Sequence, residues 1–138
     1  MLHVLIVDGQ GGGIGRQLVE TIKAAGVPCL ITAVGANATA TAAMLKAGAH
    51  QGATGENAVV VCCREADVIA GPVGIAIADS LLGEITPKMA LAIGQSRAKK
   101  LLLPVNQCGN LVAGTQVMSL SRVMEEGVEL LRSICAEP

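Results

Sequence analysis

His3-Val4-Leu5-Ile6-Val7-Asp8-Gly9-Gln10-Gly11-Gly12-Gly13-Ile14-Gly15 carries the chain from an unbroken apolar run into a cluster of glycines. An apolar run without polar alternation is the habit of a strand buried on both faces, as in parallel sheets. Behind the glycines, Ile14, Leu18, Val19 and Ile22 fall on one face of a helix, with Arg16, Gln17, Glu20 and Lys23 opposite, and Gly26 ends it. Strand, glycine loop and amphipathic helix together open a βαβ unit.

The rest of the chain continues that alternation. Strands are expected over Pro28 to Val34, a short Ala49 to Ala53, Asp67 to Gly71 and Lys99 to Val105, with a short final one over Leu111 to Gly114. Helices are expected over Thr39 to Ala47, from Thr54 through Ala66, after the Thr86 cap with Pro87 at its first position, and from about Ser119 to Cys135. Val59-Val60-Val61 fits a strand equally well. This order predicts one α/β domain over residues 1–138, doubly wound and Rossmann-like, with a mostly parallel sheet and helices on both faces.

Composition narrows the function classes. The 138 residues are 51% hydrophobic and 15% charged, with a net charge of −1 and no Phe, Tyr or Trp. Without a basic stripe or a stacking ring, nucleic acid is not an expected partner. No apolar run is long enough to cross a bilayer, and the start has no basic region ahead of an apolar stretch, so a cytoplasmic protein without membrane contact is expected. So few charges, with a mean hydropathy of +0.57, point to apolar surface covered in a homo-oligomer. Five cysteines at irregular spacing, distant in sequence from His3 and His50, give neither a disulfide framework nor a metal site.

In open α/β sheets ligands bind beyond the carboxyl ends of the strands. The segments there are Asp8 to Gly15, Val34 to Thr39, Gly71 to Gly74 and Asn106 to Asn110. The glycines let backbone approach a phosphate, and the helix start offers free N–H groups to it. The expected ligand contacts are therefore Asp8, Gly9, Gln10, Gly11, Gly12, Gly13, Ile14, Gly35, Asn37, Thr39, Gly71, Pro72 and Asn106. Asp8 repels a diphosphate unless a cation or a ligand hydroxyl intervenes. Asn37 and Thr39 suit a ribose or another polar group, in place of the acid or base that marks NAD or NADP. Glu56 reads as a charge at a helix start, and Glu84 as a structural or interface residue. Cys108 is the candidate nucleophile, without an evident base.

The Gly9-x-x-x-Gly13-Ile14-Gly15 spacing resembles the cofactor loop of the short-chain dehydrogenases, which bind NAD or NADP, over residues 3–26. The chemistry of that family uses a Tyr-x-x-x-Lys pair, and this chain has no tyrosine. Four strings, at 7–15, 43–49, 53–58 and 82–87, resemble a family of short bacterial Rossmann-like proteins catalogued only as a domain of unknown function. That resemblance implies a fold and a nucleotide-type ligand, NAD(P) or another, and no reaction. Three readings remain open: a binding or regulatory module for a phosphate-bearing ligand, a small enzyme using Asp8, Glu56 or Cys108 on a phosphorylated molecule at the same loops, and a purely structural interaction protein.

Overall fold

A computed structural model describes residues 1–105, 109–115 and 118–137. The opening run forms β1 (Leu2–Asp8), buried from Val4 onward, and it becomes the middle of the sheet. It is followed by α1 (Gly13–Ala24), β2 (Cys29–Gly35), α2 (Ala38–Lys46), β3 (Gln51–Thr54), α3 (Glu56–Cys62) and β4 (Val68–Pro72). A short 3₁₀ turn over Val73–Ala76, α4 (Pro87–Gln95), β5 (Lys99–Leu103) and α5 (Leu120–Cys135) complete the described elements. The strand order is β3-β2-β1-β4-β5, and every pairing is parallel. This is the doubly wound Rossmann order, whose switch point lies between β1 and β4.

The two faces have separate cores. On one, Leu18, Val19 and Ile22 of α1, Met44 of α2, and Val123, Met124, Val128 and Leu131 of α5 cover Val4, Ile6, Ile31 and Ala70. On the other, Val59 of α3 and Met89 and Ile93 of α4 cover Leu5, Val7, Val34 and Ile69. Alternate residues of β1 thus serve opposite layers, which is why its run carries no polar position.

Helix starts are set by local chemistry. Thr86 accepts the Met89 N–H with Pro87 at the first helical position, Ser119 accepts that of Arg122, and Asn37 that of Ala40. Of the two readings open for Val59-Val60-Val61 the helix is the one formed, because Val59 packs into the second core and the chain there must cross from β3 back to β4. Two other expectations need correction. Gly71 and Pro72 end β4 rather than lying in a loop, and the 3₁₀ turn follows them. Leu111 to Gly114 is coil and turn, not a strand: Leu111 is 97% exposed and Gly114 has φ 86°. Among the described residues no helix is long and apolar enough to cross a membrane.

Candidate functional site

β1 ends at Asp8, and its carboxylate turns back under the glycine loop. It is 2% exposed and accepts the N–H of Gly9 at 2.8 Å and that of Gly15 at 2.7 Å. Burial pushes its pKa above the ordinary 3.8, against the pull of those amides, and the charge of Glu84 raises it further. Asp8 is therefore a clamp that shapes the loop and holds the first turn of α1, and it borders the same cleft as the loop glycines. Gly12 stands in the left-handed region at φ 73°, and a Cβ there would lie 2.7 Å from Ala40 Cα. Gly15 lies against Met44 and Asp8, which lets α1 approach the sheet.

Gly11 and Gly13 differ from these. Neither has a positive φ, and a Cβ on either would meet nothing within 4 Å. Among the described residues their amides have no hydrogen-bond partner. Both face a cleft of about 300 Å³ that Gln10, Ile14, Arg16 and Gln17 also line, with Leu120 from the start of α5. Arg16 holds Glu20 through one guanidinium nitrogen at 2.9 Å and keeps a half-exposed side chain beside the loop. A guanidinium has five N–H donors, so that pairing leaves others for an anion.

On the β2 side the loop is occupied by the protein itself. Glu84 Oε1 accepts the Gln10 N–H at 2.5 Å, and Oε2 accepts from Asn37 Nδ2 at 2.6 Å. Asn37 Nδ2 also donates to the Gln10 carbonyl at 2.9 Å, while Asn37 Oδ1 caps α2. Gln10, a non-glycine residue at φ 51°, is thus held at both its N–H and its C=O. Gly35 packs against Thr41, whose hydroxyl accepts its N–H at 3.1 Å. Thr39 is exposed on the first turn of α2. Gly71 lies against the Val7 carbonyl, and Pro72 is buried at the end of β4. Asn106 and Cys108 lie outside the described residues.

The structure therefore gathers residues 8–14 with Asn37 at one strand edge and sets Thr39, Gly71 and Pro72 into other surroundings. Arg16, Gln17, Leu120 and Glu84 were not among the expected contacts. For Arg16 a signal existed: a cation just inside the helix that follows the glycines. Glu84 comes from 74 residues beyond Gln10, and sequence spacing carries no sign of that contact.

The remaining candidates lie away from this edge. His50 sits before β3, where its Nδ1 accepts the Ile31 N–H at 2.9 Å, and the His3 backbone N–H donates to Asp67 at 2.8 Å. Burial raises the thiol pKa of Cys29 and Cys62, and pushes that of Cys63 up to about 11; Cys29 and Cys63 are buried in the two cores, and Cys62 is half-buried. Among the described residues no group of His, Cys, Asp and Glu is arranged to hold a metal.

A family model described as "Domain of unknown function (DUF3842)" matches residues 3–136. Comparison with curated proteins found no match. Among solved structures, a dodecameric FMN-dependent UbiX-like decarboxylase from Escherichia coli O157:H7 is similar at 12% identity, with 98% of this chain and 95% of that chain covered and a TM-score of 0.41. A likeness at that level carries no argument about the ligand or assembly of this chain.

Proposed function

Since the chain belongs to the DUF3842 family, whose function is unknown, we propose from its site that it is a binding module for a phosphate-bearing small molecule of nucleotide type. The observation that carries this reading is the pair Gly11 and Gly13. Among the described residues neither backbone nor packing requires glycine there, and both, with amides that have no hydrogen-bond partner, line an open cleft. A phosphate oxygen suits those amides, and Arg16 supplies the balancing charge. Because Asp8 already holds the Gly15 amide, the dipole of α1 is partly neutralised, and Arg16 carries more of the electrostatic work. The cleft lies at the carboxyl end of β1, next to the switch point of the sheet. NAD(P) and simpler nucleotides all carry the required group. We also propose that the chain works as a homo-oligomer.

The test is the ligand that co-purifies, identified by native mass spectrometry and followed by a thermal-shift panel of nucleotides. Gly13→Val places two methyl groups into the cleft at a position free of clash. The variant is expected to fold as the parent does and to lose the ligand. A folded Gly13→Val protein that retains the ligand at parental affinity would sink the reading.

A further inference from the structure

Glu84 takes no part in the cradle formed by Gly11, Gly13 and Arg16, yet it lies directly on the glycine loop. A Cβ on Gly9 would stand 2.8 Å from its Oε1. Its backbone is fixed on both sides, because residues 77–85 fold upon themselves. Asp79 donates to the Ile85 carbonyl at 2.7 Å, Gly83 to that of Asp79 at 3.1 Å and Glu84 to that of Leu81 at 3.1 Å. Leu81 and Ile85, on either side of it, are anchored in the second core. The carboxylate is thus delivered to Gln10 and Asn37 by a segment that is not free to swing away.

Its position matters because of what a dinucleotide needs there. In a sheet of this order the ribose next to the diphosphate lies at the end of β2, where a side chain must take its hydroxyls or a 2′-phosphate. Here Asn37, just beyond β2, has both amide hydrogens engaged, one on Gln10 O and one on Glu84 Oε2, and its oxygen engaged on Ala40 N–H. The Gln10 N–H is engaged as well. Two carboxylates, Asp8 and Glu84, stand close enough for the charge of one to perturb the other. Among the described residues, the space that adjoins Gly11, Gly13 and Arg16 is the 300 Å³ cleft, at the small end of ligand pockets, and a second cleft, of about 690 Å³, lies between Gln10 and residues 77–82.

We propose that Glu84 is a built-in anion that closes the β2 end of the site, so that the protein selects a phosphate monoester over a dinucleotide, and most strongly over one bearing a 2′-phosphate. This rests on the phosphate reading above. A dinucleotide must break both Glu84 hydrogen bonds and set its charge beside Glu84 as well as Asp8, whereas a monoester held at Gly11, Gly13 and Arg16 meets Asp8 alone and leaves the Glu84 bonds intact.

Calorimetric titration of the parent chain, Glu84→Gln and Glu84→Ala with AMP, ribose 5-phosphate, NAD and NADP tests this. The parent is expected to bind the tighter of the two monoesters at least tenfold more tightly than NADP. Both variants are expected to gain at least tenfold in NADP affinity, with thermal unfolding measured alongside. If a variant does not fold, the selectivity of the parent decides alone. NADP binding as tight as the better monoester, or folded variants with the selectivity of the parent, overturns the role of Glu84 and leaves the phosphate reading standing. If neither monoester binds, the phosphate reading itself fails and this selectivity with it.

Discussion

Gly12 and Gly13 are neighbours with opposite duties, and a single methyl group separates them. At Gly12 the backbone has φ 73° and the added Cβ would press on Ala40 Cα at 2.7 Å and its carbonyl oxygen at 2.9 Å. Gly12→Ala should cost at least about 1–3 kcal/mol from backbone strain alone. Gly13→Ala meets open space in a helical conformation, and loss of unfolded-state freedom should raise stability by about 0.4–1 kcal/mol. Urea unfolding of the two variants checks both signs. Asp8 makes a second residue-scale prediction. Its folded pKa is raised, so the folded chain holds that proton more tightly than the unfolded chain does. Its stabilising contribution is then full below 3.8 and is lost as the pH rises through the folded pKa. Asp8→Asn does not titrate, so the stability of the variant minus that of the parent should grow from below pH 3.8 to neutrality. A difference that shrinks over that range would mean the amides of Gly9 and Gly15 outweigh burial.

Among the described residues, the segment over residues 77–85 holds three of the four non-glycine residues with positive φ, the fourth being Gln10. Asp79, Leu81 and Leu82 all have positive φ, at 68°, 56° and 56°, a region that leucine enters at a cost of roughly 1–2 kcal/mol per residue. Leu81 recovers that cost through burial, whereas Leu82 is 97% exposed. Leu82→Asn keeps the conformation with a residue that tolerates it, and should raise the unfolding free energy by about 0.5–1 kcal/mol, read as a higher urea midpoint. An unchanged or lower midpoint would mean the leucine side chain has a contact outside this chain. This segment also marks where the sequence stops being readable. β1, α1, α4 and α5 follow from apolar spacing and from caps at Thr86 and Ser119, because those signals are local. A turn held by Asp79 N–H on the Ile85 carbonyl, with leucines in the left-handed region, violates local preference and is imposed by the packing of Leu81 and Ile85. The glycine loop was legible as a turn from strand to helix, but which glycines serve the fold and which leave space depends on Ala40 and Met44 of α2, and the loop sequence does not contain them.

For the whole molecule, composition and surface point the same way. Leu82, Leu91, Leu111 and Leu130 are each more than half exposed, and so few charged residues leave little to offset them. Light scattering at micromolar concentration should give a mass that is a multiple of 13.9 kDa; a clean 13.9 kDa species would remove the oligomer from the proposal. The last helix and the segment from Ile75 to Leu82 are the contact surfaces the sequence suggests. Of the second, Ile75 and Leu81 are spent on the chain's own core and Leu82 remains. The central place of β1 has a consequence for how the chain is made. β1 is made before β2 and α1, and it can pair with the one and be covered by the other early. Its other edge waits for β4, since Val4 pairs with Val68 and Ile6 with Ala70. Until β4 has been made, this buried strand therefore presents an unsatisfied edge. Sheet closure depends on a contact between distant parts of the chain, which sets a slow step in folding. The nascent chain is most vulnerable to misassembly before β4 has emerged, and a chaperone that shields an apolar strand edge would act in that interval.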